Sequence, residues 1–337
     1  MGPPVSAPET FAPDSRIGLV ADIGGTNARF ALAGLTPSGE IATAFRQDMR
    51  ADDYAGLAEC IEAYLDSLGA APHPTQGVFG VASPITGDQV RLTNRDWAFS
   101  IEGLRRRFGW ERLQIINDFA IVGHAAPALG AEYLHALAGP AWSRTLPPVV
   151  SIIGPGTGLG VGAVVSGPEG HHVLPTEGGH VSFAPVDSLE IELLRVMLRR
   201  FPRVSNERVL SGPGLENLYA AMADVRGIPP ILDGAPAILD AALHGGDALA
   251  RDTVQRFALI LGGVMGDVAL VHGAQAVAIA GGIAPRMIDI LDTAAVRARF
   301  EAKGRAQALL TTVPIALITH PEPALLGAAR LMFDKSA

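Results

Sequence analysis

The chain has 337 residues and a formal net charge of -8 at pH 7. Hydrophobic residues make up 48% and charged residues 18%, so the composition is that of a globular protein long enough for two domains, not of a disordered chain. The acidic balance disfavours nonspecific binding to nucleic acid or anionic membrane, and the one cysteine, Cys60, excludes an intramolecular disulfide and a multi-cysteine zinc site.

The first fifteen residues are rich in proline and serine and lack the basic start and apolar core of a signal peptide. We therefore predict a mobile tail over residues 1–15 and a cytoplasmic protein. The most apolar stretch, residues 257–283, is interrupted by glycines and polar residues, which a membrane span of about 20 residues would not normally carry. It predicts a buried helix followed by a buried strand.

The first third of the chain alternates β-like and helical patterns in the order β-β-β-α-β-(β)-α-β-α. The predicted strands are residues 17–22, 29–35, 41–46, 76–82, 89–92 and 113–116. Helices are predicted at 54–68, from the N-cap Ser100 to about 108, and from Phe119 onward.

The remainder begins again with two apolar strands around a glycine-rich turn. Its predicted strands are 148–153, 160–165, 173–174, 181–183, 276–280 and 313–319, and its helices are 189–201, 215–225, 237–243, 248–272, 294–302 and 324–333. Such alternation is typical of α/β proteins. Two copies of one starting unit predict an internal duplication, with two lobes facing a cleft.

Two strand–turn–strand segments carry a Gly-Thr pair at their tips. In Asp22-Ile-Gly-Gly-Thr-Asn27 the glycines let backbone amides approach an anion, and Asp22 at the strand end can hold a hydrated Mg²⁺. Gly154-Pro-Gly-Thr-Gly-Leu-Gly160 is neither a P-loop nor a dinucleotide fingerprint, because no Gly-Lys-Ser/Thr and no helix follows it. Each could be a plain hairpin turn, but together they predict two grips on one polyphosphate.

Polar residues at three further places have both a structural and a functional interpretation. Asn117 and Asp118 end a buried strand, where open α/β sheets place ligand groups, although Asn117 can equally cap the next helix. Glu177-Gly-Gly-His180 and Glu207 offer hydrogen-bonding groups suited to hydroxyls, or are ordinary surface residues. Gly281-Gly282 permits a flat ring to pack on the backbone, or is a simple helix-entry turn.

This set of groups suits phosphoryl transfer from a nucleotide to a polyol, in which an Asp orients the attacking hydroxyl and takes its proton. The chain resembles the bacterial ATP-dependent glucokinases of the hexokinase/actin-like superfamily from about Ile17 to Leu331. The segments that carry the resemblance are Leu19–Arg29, Pro84–Gly87, Leu92–Asn94 with Trp97–Ser100, Ile115–Phe119, Gly156–Gly160, Glu177–His180 and Arg208–Gly214.

The resemblance implies a two-lobed α/β fold of the actin-like/hexokinase ATPase type, with a duplicated ribonuclease H-like β-β-β-α-β-α-β-α core. It implies a small domain of residues 16–130 plus 322–337 and a large domain of residues 131–321, with lobe closure on glucose. It also implies a glucokinase that feeds glycolysis, with glucose, ATP and Mg²⁺ as ligands, a homodimer as the assembly, and no nucleic acid or membrane partner.

The resemblance further implies roles for individual residues. Asp118 is the general base, and the sugar is held by Asn94, Asn117, Asp118, Glu177, His180 and Glu207. ATP is bound by Ala21, Asp22, Ile23, Gly24, Gly25, Thr26, Asn27, Gly156, Thr157, Gly158, Gly281 and Gly282, with Asp22 holding Mg²⁺ through water.

Three alternatives remain open at this stage: a kinase for another hexose, a related ATPase, and a sugar-sensing regulator without catalysis. The sister group of repressor/kinase proteins usually carries a cysteine-rich zinc motif after its Glu-x-Gly-His. No cysteine lies near His180, which argues against that branch.

Overall fold

A computed structural model describes residues 11–83, 85–93, 95–143 and 145–333 of the chain. The strands are β1 (Gly18–Ile23), β2 (Asn27–Leu35), β3 (Ile41–Arg50), β4 (Gln76–Val81), β5 (Gln89–Arg91), β6 (Ala98–Ser100), β7 (Arg112–Asn117), β8 (Leu134–Ala136), β9 (Val149–Pro155), β10 (Leu159–Gly167), β11 (Gly170–Thr176), β12 (Ala276–Ile279) and β13 (Ile315–Ile318).

The helices are α1 (Leu57–Ser67), α2 (Ile101–Arg107), α3 (Asp118–Ala125), α4 (Ser188–Met197), α5 (Gly212–Arg226), α6 (Ala235–Leu243), α7 (Ala248–His272), α8 (Ile288–Leu291), α9 (Ala294–Glu301), α10 (Gln307–Leu310) and α11 (Pro323–Phe333). Single 3-10 turns lie at Ala51–Asp53, Ala126–Ala128, Ala131–Tyr133, Gly178–His180, Ala284–Met287 and Gly304–Ala306.

Packing groups the chain into two compact units. Unit 1 comprises the described residues of 1–129, 169–171 and 321–337, and unit 2 comprises those of 130–168 and 172–320. The predicted domain boundaries at residues 130 and 321 lie next to these changes of unit.

The sheet of unit 1 has the order β3-β2-β1-β4-β7. β1 pairs antiparallel with β2 and parallel with β4, and β4 pairs parallel with β7. β1 is almost wholly buried along its length, as expected for a central strand covered on both faces. β5 and β6 form a separate two-stranded ribbon, of which the sequence predicted only the first strand.

The sheet of unit 2 repeats this plan with the order β11-β10-β9-β12-β13-β8. β9 pairs antiparallel with β10 and parallel with β12, and β12 pairs parallel with β13. The predicted duplication is therefore confirmed at the level of strand order. β8 was not predicted, because three residues of mixed polarity carry no periodic signal and become a strand only by pairing with the edge of β13.

Each unit has its own hydrophobic core. In unit 1 the core includes stacked and edge-on rings of Phe30, Tyr64, Phe79 and Trp110, and it also contains Cys60. Burial raises the pKa of the Cys60 thiol to about 12, so this cysteine is a core residue, not a nucleophile at neutral pH.

The helix α7 dominates the core of unit 2. It begins at the N-cap Asp247, whose side chain accepts the Ala250 amide, and it ends at Gly273 with a left-handed φ of 63°. Among the described residues it is the one helix long and apolar enough to cross a membrane by length and composition, with a mean hydropathy of 1.6 over its most apolar window. Of that window 56% is buried inside the protein, which is the behaviour of an interior helix.

The last helix returns to unit 1 and packs on α3 and β1. Gly327 makes this possible, because a Cβ atom there would overlap the backbone carbonyl of Ile121. The C-terminal helix thus supports the segment that follows β7.

The described part of the predicted tail is bound to β2. Ala12 donates its amide to the Leu35 carbonyl at 2.8 Å, and the Ser15 hydroxyl accepts the Leu35 amide at 2.7 Å. The Phe11 ring lies over Gly34, where a Cβ would come within 2.7 Å of it. Residues 11–15 thus pack against β2, because the bare backbone of Gly34 gives Phe11 a place to pack.

Candidate active site

In the turn between β1 and β2, two backbone amides meet no acceptor while two carbonyls, those of Gly25 and Thr26, are hydrogen-bonded within the protein. The Gly24 amide donates to the Asn27 carbonyl at 3.0 Å, and the Ala51 amide donates to the Thr26 carbonyl at 2.9 Å. Within the described residues the amides of Gly25 and Thr26 meet no acceptor. Successive N–H groups that point outward from a turn form an anion-binding concavity.

The turn between β9 and β10 is built in the same way. Its Gly156 amide donates to the Gly158 carbonyl at 2.8 Å, and the Gly156 carbonyl accepts the amide of Gly212, the first residue of α5, also at 2.8 Å. The amides of Thr157 and Gly158 have no acceptor in the described part of the chain. We call these two structures the first hairpin and the second hairpin.

Gly281 and Gly282 follow β12 and lie against the second hairpin. Gly281 has a φ of +88°, and a Cβ atom there would come within 2.5 Å of the Pro155 carbonyl oxygen. The Ile283 amide approaches the same carbonyl at 3.4 Å. Gly282 has open space where its Cβ would lie. The pair therefore leaves an uncovered stretch of backbone beside the end of β9.

Asp22 at the end of β1 is paired with a residue that the sequence analysis did not single out. Arg29 lies opposite it in the β1–β2 register, and its Nη1 donates to Asp22 Oδ2 at 2.7 Å. Burial raises the pKa of the Asp22 carboxyl, and the Arg29 cation opposes that rise. Asp22 thus keeps one oxygen, Oδ1, that Arg29 does not bind, which a water-mediated Mg²⁺ contact requires.

Asn117 and Asp118 sit where β7 passes into α3. The side chain of Asn117 accepts the amides of Phe119 at 2.9 Å and Ala120 at 3.2 Å, so the predicted cap is present. Asp118 Oδ1 also accepts the Phe119 amide, at 2.8 Å. The N-terminal end of the α3 dipole stabilises negative charge on Asp118.

The absence of a side chain at Gly80 on β4 lets α3 approach the sheet at this point. A Cβ atom at Gly80 would lie 3.0 Å from the Ile121 side chain and 3.4 Å from the Asp118 Cα. The position of Asp118 therefore depends on a glycine one strand away.

The first hairpin and Asp118 lie at the same edge of the sheet of unit 1. In the parallel registers Ile23 pairs with Val81, and Val81 pairs with Asn117. Neighbouring strands are about 4.8 Å apart, so the ends of β1 and β7 are separated by about 10 Å. A phosphate held at the hairpin and a hydroxyl held at Asp118 would lie within reach of one another.

Glu177, His180 and Glu207 come together in unit 2. His180 Nε2 is 3.8 Å from Glu177 Oε2, and His180 Nδ1 is 3.8 Å from Glu207 Oε1. These distances are too long for direct hydrogen bonds and leave room for the three groups to share the hydroxyls of a ligand. The other oxygen of Glu207 accepts the Leu159 amide at 3.0 Å, at the start of β10.

Glycines place this cluster against β10. A Cβ atom at Gly178 would come within 2.7 Å of the Val161 side chain, and one at Gly179 would overlap the Leu159 carbonyl. The Glu207 amide donates to the Gly179 carbonyl at 2.9 Å, which joins the two segments that carry the cluster. The glycines between Glu177 and His180 are therefore required by close backbone packing.

The structure thus gathers the predicted residues into two sets, one in each unit. Asp22, the first hairpin, Asn117 and Asp118 share one sheet edge, while the second hairpin, Gly281-Gly282 and the Glu177, His180 and Glu207 cluster lie together in unit 2. Asn94 lies outside the described residues. Among those residues no group of three or more His, Cys, Asp or Glu side chains forms a metal cluster.

Two arginines near the first hairpin escaped the sequence analysis. The sequence gives only a weak indication of the Arg29 contact. In a hairpin with this turn, Arg29 is the residue of β2 that lies opposite Asp22. Arg95 has none, because its contact with Gly25 joins residues 70 positions apart.

The duplicated sheets, each with a glycine-rich hairpin after its first strand, are the fold of hexokinase-like sugar kinases. A crystal structure of a glucokinase from an Antarctic psychrotroph matches with a TM-score of 0.82 and 36% identity, covering 94% of this chain and 98% of that one. A ROK family glucokinase from Streptomyces griseus, solved in complex with glucose and AMPPNP, shares the fold with a TM-score of 0.60 and 20% identity, covering 94% and 98%.

The family model described as Glucokinase matches residues 19–335. A glucokinase of Caulobacter vibrioides (strain NA1000 / CB15N) is 46% identical over 326 residues, which span 93% of this chain and 94% of that protein. The chain belongs to the glucokinase family. This confirms the resemblance and the enzyme class predicted from the sequence, a hexose kinase.

Proposed function

We propose that this protein transfers the γ-phosphoryl group of ATP to the 6-hydroxyl of D-glucose, giving glucose 6-phosphate and ADP. The observation that carries the proposal is the shared sheet edge in unit 1, where the outward amides of the first hairpin and the carboxylate of Asp118 lie about 10 Å apart. The identity to glucokinases over nearly the whole chain supports the choice of sugar and donor.

Asp118 acts as the general base in this proposal. Its carboxylate accepts the proton of the attacking hydroxyl, and its fixed place at the start of α3 orients that hydroxyl toward the phosphorus. The side-chain oxygen of Asn117 accepts the hydrogen bonds of the helix cap, so its amide NH₂ group is the part available to the sugar.

Glu177, His180 and Glu207 hold the sugar hydroxyls in unit 2. Two carboxylates accept from hydroxyl groups, and the imidazole between them can donate or accept. Asn94 is a further sugar contact by resemblance alone.

The two hairpins bind the phosphates, because each offers two amides without a partner among the described residues. Gly281 and Gly282 provide the bare backbone on which the adenosine packs. Asp22 is the residue that would hold Mg²⁺ through water, and the ion would neutralise charge on the transferring phosphoryl group. The family resemblance also supports a homodimer, and a cytoplasmic location stays a prediction from the sequence.

A coupled assay with purified protein and a panel of hexoses tests the proposal. We expect ATP- and Mg²⁺-dependent phosphorylation with a higher kcat/KM for glucose than for mannose, fructose or N-acetylglucosamine. Equal rates on these sugars would contradict the specific assignment, and no turnover on any of them would contradict the kinase assignment. Light scattering on the same sample would contradict a homodimer if the mass were that of one chain.

A further inference from the structure

Arg95 is hydrogen-bonded to the turn of the first hairpin, although it lies 70 residues away from that turn in the sequence. Its Nε donates to the Gly25 carbonyl at 2.8 Å, and its Nη1 donates to the Ala51 carbonyl at 2.7 Å. Its Nη2 pairs with the exposed carboxylate of Asp52. The guanidinium lies 5.1 Å from the centre of the Trp97 ring, and 16% of the Arg95 side chain is exposed.

These bonds determine which way the turn points its amides. The Gly25 carbonyl and the Thr26 N–H belong to one planar peptide unit and point in opposite directions. A donor that holds the carbonyl on one side therefore directs the Thr26 N–H to the other side. The Thr26 carbonyl accepts the Ala51 amide, and the Ala51 carbonyl accepts from Arg95 and, at 3.4 Å, from the Tyr54 amide. The Arg95 guanidinium therefore joins the Gly25 carbonyl to the segment that holds Thr26.

The planar fork of arginine suits this task, since a point donor such as lysine cannot reach two carbonyls in fixed directions at once. The stacking of Arg95 on the buried Trp97 ring limits its rotamers. All five of its N–H donors lie on one rigid plane, which already serves three acceptors. Arg95 is therefore better suited to shaping the turn than to gripping a phosphate itself.

We propose that Arg95 is a positioning residue that holds the Gly25–Thr26 peptide unit, and through Ala51 the Thr26–Asn27 unit, in the orientation that binds nucleotide phosphate. It acts through the turn and does not touch the substrate. The inference rests on the proposed function, in which the first hairpin binds ATP. It extends the predicted phosphate site by a residue that neither the glycine pattern nor the resemblance assigns.

The test compares R95M, R95K and D52N with the control R106M. The Arg106 side chain is 71% exposed, and its Nε lies 3.7 Å from Glu102 Oε1. Binding of a non-hydrolysable ATP analogue is measured by calorimetry, together with KM for ATP, KM for glucose and the midpoint of thermal unfolding. We expect R95M to weaken nucleotide binding and raise KM for ATP by about tenfold or more, the loss of two directional bonds from a charged donor. KM for glucose should stay close to wild type.

The graded variants separate positioning from bulk stability. R95K keeps the charge but loses the fork, so its nucleotide affinity should fall between those of wild type and R95M. D52N removes only the charge of the exposed partner and should change affinity by at most about fivefold. R106M should change neither KM nor nucleotide binding.

Unchanged nucleotide affinity in R95M would overturn the inference. An equal rise in both KM values together with a lowered unfolding midpoint would also overturn it, since that pattern belongs to general destabilisation. If wild type bound the ATP analogue but phosphorylated no sugar, the proposed function would fail while the binding data still decided the role of Arg95.

Discussion

At the scale of single residues, the segment from Asn117 to Asp118 serves two purposes at once. Asn117 caps α3 with its oxygen, and Asp118 accepts the next amide while keeping its place at the strand end. The structural and the functional interpretations of this segment therefore do not compete. The cap fixes the start of the helix, and the start of the helix fixes the carboxylate.

Replacing Asp118 by Asn tests the proposed base. The amide keeps the size of the side chain and an oxygen for the Phe119 amide, but it cannot take a proton. We expect kcat to fall by about 10²- to 10⁴-fold, with glucose affinity nearly unchanged, measured by a coupled assay and by sugar titration. D66N, at an exposed aspartate on α1, serves as the control. A D118N enzyme with wild-type turnover would remove Asp118 from the role of base.

The first hairpin shows which properties of a single residue can be predicted from the sequence and which cannot. A Gly-Gly-Thr turn can be recognised as a phosphate site from its letters, because glycine permits close backbone approach. Which amides that turn presents depends on donors that hold its carbonyls, and these come from Ala51 and Arg95. Such partners are distant in the chain and have no fixed spacing, so no local pattern predicts them.

At the scale of elements, the connection after β12 is shaped by its contact with the second hairpin. Gly281 combines a left-handed φ of +88° with a Cβ position 2.5 Å from the Pro155 carbonyl, whereas Gly282 next to it is unconstrained on both counts. The two neighbours therefore form a matched pair for mutation.

We expect Gly281→Ala to destabilise the protein by about 1–3 kcal/mol, because an L side chain is strained at this φ and meets the carbonyl. The displaced hairpin should also raise KM for ATP. Gly282→Ala should stay within about 0.5 kcal/mol of wild type in stability, since its side chain enters open space. Thermal unfolding and ATP titration of both variants check this. Equal destabilisation by the two changes would refute the geometric argument.

Three helices of unit 2 are joined by a buried ionic cluster around Glu190 on α4. Arg299 from α9 donates to both Glu190 oxygens at 2.5 and 2.6 Å, and Arg256 from α7 donates to Oε1 at 3.0 Å. The Val186 amide donates to Oε2 at 3.0 Å, and the Glu190 side chain is fully buried. Its charge is thus paired as well as hydrogen-bonded, as a buried carboxylate requires.

Glu190→Ala should cost about 3–5 kcal/mol of stability, because it leaves two partly buried arginines without their shared partner. Glu192→Ala, which breaks only the exposed pair with Arg195, should cost at most about 1 kcal/mol. Chemical denaturation of the two variants measures the difference. Similar losses would show that the cluster contributes no more than a surface ion pair.

The helices and strands were predicted from the sequence with different accuracy. The long helix α7 was predicted with its observed bounds, since 25 residues with both ends marked by Asp247 and Gly273 carry a strong signal. β6 and β8 were missed, because strands of three residues exist only through their partners. In the second hairpin, β9 continues through Pro155, so the turn is shorter than the glycine pattern predicted.

At the scale of the whole molecule, stability should depend on pH through two half-buried histidines of unit 2. Burial lowers the pKa of both His272 and His320, and His272 Nδ1 lies 2.9 Å from the hydroxyl of the buried Ser151. The folded protein therefore binds fewer protons than the unfolded chain below the ordinary imidazole pKa of 6.5. The stability that these neutral imidazoles contribute is fully present above that pH. It is lost as the pH falls through the pKa values that the histidines have in the folded protein.

We expect the unfolding midpoint to decrease from about pH 7.5 to about pH 5.5, and His272→Gln to reduce that decrease. Glutamine can still bond to Ser151 but does not titrate. His244→Gln, at an exposed position, is the control and should leave the pH dependence unchanged. Differential scanning calorimetry at several pH values measures it, and an identical pH profile for H272Q and wild type would exclude His272 as a contributor.

The sequence by itself determined the α/β class, the duplication, the two glycine-rich hairpins and the family, because each is written in local spacing or in segments kept in order along the chain. Only the tertiary structure decided the order of strands in each sheet, the pairing of Asp22 with Arg29, and the gathering of Glu177, His180 and Glu207 around β10. The hydrogen bond from Arg95 to the Gly25 carbonyl was likewise decided only by the tertiary structure. The physical reason is range: periodicity and turn chemistry act over a few residues, whereas ion pairs and carbonyl contacts join residues that meet only when the sheets have formed.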